Sequence, residues 1–84
     1  MEKQVGRVTH YFGKIGVAAI ELEDELTVGD VIHVRGHTSD WKQRVDSMQV
    51  EHDTVEKAGP GAVVGIKVEG HAREHDVVYK VIED

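Results

Sequence analysis

Two short stretches carry paired imidazoles, HVRGH at residues 33–37 and HAREH at residues 71–75. The H-x-x-x-H spacing lets two histidines share one face of a helix and chelate zinc. On an extended strand each residue advances about 3.3 Å, so histidines four apart stand about 13 Å from each other and no single ion bridges them. His33 and His37 are therefore poor ligands unless Gly36 bends the chain. His71 and His75, with Glu74 and Asp76 beside them, could converge in a loop and are the weak metal candidates. The plainer reading is a chance motif match, and neither a resident metal nor any other cofactor is expected.

Other chemistry is sparse. Cysteine is absent, the only serines are Ser39 and Ser47, and no histidine sits in a recognisable nucleophile context. Asp46 beside Ser47 reads as turn or bulge chemistry, and the carboxylates of ELEDE, residues 21–25, read as a solvated surface rather than an acid/base pair. No G-x-x-x-x-G-K-[ST] loop is present to cradle a triphosphate, so the chain does not bind GTP in that way. An enzyme is not expected. The candidate binding residues are His33, Arg35, Lys42 and Arg44, a basic stripe if 37–40 is a hairpin loop between adjacent strands. Such a stripe could hold phosphates of ribosomal RNA or tRNA, against the alternative of an ordinary solvated face. Net charge is −6 with histidines neutral, which disfavours a general nucleic-acid binder. Aromatic residues are only 5% of the chain, and Trp41 reads as core or rim rather than as a base-stacking platform.

What must position these residues is a single domain of 84 residues, 39% hydrophobic and 31% charged. The longest apolar run, IGVAAI, is too short to cross a bilayer, and MEKQVGRVTH lacks an apolar signal core, so a cytoplasmic location is expected. Valine-rich alternation punctuated by glycines predicts an all-β chain with strands near 4–11, 15–22, 30–36, 41–51, 62–69 and 77–82. Phe12-Gly13-Lys14 suits a hairpin joining the first two. In the second strand Ala18, Ile20 and Leu22 share an inner face, although apolar Val17 and Ala19 blur the outer one.

Gly29 and Asp30 close a turn, after which Ile32 and Val34 point inward and Val31, His33 and Arg35 outward. Trp41 and Val45 are expected inside and Lys42 and Arg44 outside. Met48 and Val50 have the opposite parity to Val45, so a continuous strand needs a β-bulge near Asp46-Ser47. Gly59-Pro60-Gly61 forms the next turn, Val64 and Ile66 are buried, and Gly65 leaves space for a close neighbour. Six curved strands in a chain this short predict a small closed barrel.

Three runs resemble, in the same order, the second domain of translation GTPases such as elongation factor Tu: LTVGDVIHV, VDSMQVEH and VEKAGPGAVVGIKVEG. The likeness covers roughly residues 5–82 and is most specific at Ser47-Met48-Gln49, His52, Glu56, Ala58, Gly61 and Val64-Gly65-Ile66. The chain is similar to the barrel appended to collagenase-like peptidases about as well, at VGRV and LTVGD. The resemblance to the translation GTPases implies a closed six-stranded Greek-key barrel in which Gly29, Asp30, Gly61 and Gly65 are structural, and it carries over no catalytic role. Ala62 and Val63 depart from the translation-factor pattern, which is often polar there. His75 departs too, where a glycine commonly precedes Asp76, and this puts the last turn in question. The expected function is a stand-alone translation-factor-like module that binds RNA or a translation-associated protein through the basic stripe. The alternative is an accessory barrel docking on an enzyme without nucleic-acid binding.

Overall fold

The computed structural model describes residues 1–82, and among these there is no helix. Ten strands form: β1 (Glu2–Phe12), β2 (Val17–Leu22), β3 (Leu26–Thr27), β4 (Val31–Arg35), β5 (Asp40–Arg44), β6 (Met48–Val50), β7 (Asp53–Val55), β8 (Lys57–Ala58), β9 (Val63–Lys67) and β10 (Val77–Val81). Eight of them make one antiparallel sheet in the order β5-β4-β10-β1-β2-β9-β6-β7, while β3 and β8 pair separately. Five of the six expected strands each correspond to one of these, and the remaining one, 41–51, is divided between β5 and β6. The short strands β3, β7 and β8 carry too few alternations to be seen as a period.

Alternation sorts the faces as elementary strand geometry requires. Ala18, Ile20, Leu22, Ile32, Val34, Val64, Ile66 and Val78 are each at most 2% exposed and meet Val5, Val8, Val45 and Met48 in one core. Trp41 is an exception to the expected inner set. It packs at the rim, half-buried, with its indole N–H donating to the His71 carbonyl at 2.8 Å. Gly70 lies against that ring: a Cβ there would come within 2.6 Å of the indole.

The 41–51 segment is not one bulged strand. The parity change at Val45 is absorbed by a break, residues 45–47 being outside any strand. The chain then changes partners, β5 pairing with β4 and β6 with β7 and β9, so it passes from one end of the sheet to the other. Val45 anchors the passage, accepting from the Gly29 N–H at 2.9 Å and donating its own N–H to the Asp30 carbonyl at 2.8 Å. Irregular register occurs instead within β1, between Gln4 and Gly6 and between Val8 and His10. Gly6 is required there because a Cβ would run into the Glu21 carbonyl oxygen.

The expected turns form at Gly29 (φ 102°) and Gly61 (φ 89°). In the β1–β2 hairpin the left-handed residue is Gly16 (φ 65°), not Gly13, because the turn closes with Gly16 donating to the Phe12 carbonyl at 2.9 Å. The last turn also forms, with His75 itself in the left-handed region (φ 75°). Its N–H donates to the Val8 carbonyl, and the Asp76 carboxylate accepts from the Arg73 N–H at 2.9 Å.

The sheet is not closed by backbone pairing, since β5 and β7 end it. A side chain of β5 does reach the end of β9. Gln43 on β5 donates from Nε2 to the Lys67 carbonyl at 2.9 Å and accepts from the Glu69 N–H at 2.8 Å.

Candidate functional site

Strands β4 and β5 place His33, Arg35, Lys42 and Arg44 on one outer face, with His33 opposite Lys42, Arg35 opposite Asp40 and Arg44 opposite Val31. The expected stripe is assembled, but its electrostatics are not those of a basic patch. His33 Nδ1 lies 3.0 Å from the Glu2 carboxylate and Nε2 lies 2.5 Å from Asp40 Oδ1. Ionised carboxylates only accept, so the protonated ring, with a donor on each nitrogen, is the form that satisfies both contacts. The hydrogen bond to Asp40, and then the one to Glu2, raises the His33 pKa above its ordinary value, while the His33 bond lowers those of both carboxylates. Lys42 Nζ stands 3.7 Å from Glu2. Two of the four stripe residues are thus paired with acids. Glu2 was invisible from sequence because it lies 31 residues from His33 and reaches it across β10.

His71 and His75 do not share a ligand geometry. The His71 ring tilts against Tyr11 at 4.7 Å, and His75 serves the last turn with its backbone. Among the described residues no group of three or more His, Cys, Asp or Glu side chains converges as a metal site. Ser39 is buried and donates only to the His71 carbonyl, at 3.5 Å.

Two clefts stand out among the described residues. One, of about 430 Å³, lies beside the Gln43 bridge and is lined by Lys42, Arg44, Asp46, Ser47, Lys67 and Glu69. The other, also about 430 Å³, is a shallow groove on the outer face of β2, β9 and β6. Its floor is Ala19 and Gly65, paired in register with each other and with Gln49. Phe12, Ile15 and Val17 of the β1–β2 hairpin stand at one end, Val63 at the other, and Glu51 and His52 of the β6–β7 turn along the side. Phe12 is 45% exposed, Ile15 64% and Val63 49%. Sequence reading did not assemble this groove, yet its traces were there: the apolar Val17 and Ala19 on an outer face, and the apolar Val63 where a polar residue is usual.

No protein-family model matches the chain. It is similar to an uncharacterized protease of Methanocaldococcus jannaschii, 41% identical over 81 residues, which is 95% of this chain and 20% of that protein. It is also similar to a collagenase of Porphyromonas gingivalis, 38% identical over 78 residues, 90% of this chain and 22% of the relative. The chain thus spans about a fifth of the length of the curated relatives it matches. Its fold matches that of the C-terminal domain of a Geobacillus thermoleovorans protein classed as a U32 peptidase, with a TM-score of 0.89 at 19% identity, covering 95% of this chain and 93% of that one. The selenomethionine variant of the same domain gives a TM-score of 0.86 over 90% of this chain and 96% of the other. These findings uphold the resemblance to the collagenase-type barrel. They overturn the translation-factor and RNA-binding reading, because the sequence kinship runs to proteases.

Proposed function

We propose that the chain is an accessory, non-catalytic module that docks on the body of a U32-type peptidase. The observation that carries this reading is the match itself: 90–95% of the chain aligns within about a fifth of each of two proteases, which leaves most of those proteins outside the aligned stretch. The chemistry within the chain supports it. Among the described residues neither serine is hydrogen-bonded to a histidine side chain, so no serine–histidine pair is assembled. The six-stranded closed barrel belongs to the same reading, supported by the Gln43 bridge from the end strand β5 to the end of β9. Its partner is a protein rather than a nucleic acid, in keeping with the net charge of −6.

The test is exchange. The M. jannaschii protease is expressed whole, with its matching 81 residues replaced by this chain. Calorimetry should show the inserted module unfolding together with the body, above the Tm of the isolated 84-residue chain. A separate transition at the isolated Tm would end the docking reading.

A further inference from the structure

Resting on that docking reading, we infer that the groove floored by Ala19 and Gly65 is the surface that meets the peptidase body, and that it receives a large apolar side chain flanked by basic residues. Four independent features converge on it. Three of the four exposed large hydrophobics among the described residues, Phe12, Ile15 and Val63, line it, the fourth being Met1 at the chain end, and soluble surfaces rarely carry such a concentration without a partner.

Gly65 is unexplained by the fold. It lies mid-strand, where glycine weakens a strand, yet its φ is not left-handed, and a Cβ would meet only Val17 Cγ1 at an ordinary 3.5 Å. A glycine that neither backbone conformation nor packing demands is the residue that lets another chain approach closely. The β6–β7 turn adds strain at the same place. Glu51 (φ 50°) and His52 (φ 71°) hold left-handed conformations that asparagine and glycine ordinarily supply, and both border the groove.

Charge supplies the fourth feature. Glu21 stands opposite Val63 in register and Glu51 borders the side, so the Val63 end is acidic, while Lys67 lies opposite Val17 at the far end. An apolar side chain with a basic neighbour complements that end. The body is the occupant because relatives carry the matching stretch within a protein about five times as long. A tether of that kind raises the effective concentration enough for one apolar contact to dock.

The experiment places the photo-crosslinking residue p-benzoylphenylalanine at Phe12, at Val63 or, on the β4–β5 face, at Lys42 in the exchanged full-length protease. All three positions are exposed, so the fold tolerates the probe. Crosslinks from 12 and 63 to the body, mapped by mass spectrometry and several-fold stronger than from 42, are expected. Gly65→Arg should abolish them while leaving the Tm of the isolated chain within a few degrees. Crosslinks from 42 alone would overturn the groove assignment and leave docking intact. Absence of crosslinks at all three positions together with a separate module transition would sink both. Crosslinks between two copies of the module would replace the body with self-association and overturn the assignment.

Discussion

Gln43 and Lys67 are joined by a side-chain amide where two strands would otherwise exchange backbone hydrogen bonds: Nε2 donates to the Lys67 carbonyl at 2.9 Å, and Oε1 takes the Glu69 N–H at 2.8 Å. A primary amide has the same donor–acceptor pair as a peptide unit. One glutamine can therefore stand in for a rung of the ladder between β5 and β9, which do not pair directly.

Gln43→Ala should lower stability by about 1–2 kcal/mol, since both partners are left to solvent. Urea denaturation gives the magnitude, and hydrogen exchange should show the Glu69 amide losing protection. Gln43→Glu should restore that protection only in part, because a carboxylate accepts from Glu69 but repels the Lys67 carbonyl. Unaltered exchange at Glu69 in the alanine variant would show that the bridge holds nothing.

His33 predicts a pH window. Its pKa is raised by Asp40 and Glu2, so its contribution is full below about 6.5, the unfolded value, and fades as pH rises through the folded one. The lowered pKa values of Glu2 and Asp40 make their contribution full above about 4 and lost as pH falls through their folded values. The Tm difference between the natural chain and His33→Gln should therefore be largest between about pH 4 and 6.5 and shrink on both sides. A difference that grows above neutrality would contradict the imidazolium assignment.

His75 occupies a left-handed turn position at φ 75°. His75→Gly should stabilise the chain by roughly 1 kcal/mol, the order of the Cβ penalty there, partly offset by glycine's greater freedom when unfolded. His75→Ala should gain nothing. Thermal melts of the two variants side by side distinguish backbone relief from loss of the imidazole.

Two mid-strand glycines should respond in opposite ways. Gly6→Ala drives a Cβ into the Glu21 carbonyl and should cost about 1–3 kcal/mol, as overpacking does. Gly65→Ala meets only Val17 at 3.5 Å and should be neutral or stabilising by up to about 1 kcal/mol. Equal destabilisation by both would mean that Gly65 is held by the fold, which removes one support for the docking groove.

The linear chain by itself determined which side chains face inward and where it turns. Period-two alternation assigns Ile20, Ile32, Val34, Val64 and Ile66 to the core whatever strand lies alongside, and glycine at 29 and 61 permits left-handed φ by its chemistry alone. The translation-factor reading failed for a related reason. Turn glycines and alternating valines are demanded by the antiparallel sheet itself, so they report the fold more than the task done by its outer face. Only tertiary structure decided what meets across strands. Glu2 reaches His33 because β10 lies between their strands, and β5 stops before Val45 because the chain there changes edges. Phe12, Val63 and His52 share a groove because a hairpin, a strand and a tight turn converge on one face. Such neighbours are set by pairing order and register, which depend on the whole sheet at once and leave no local period in the sequence.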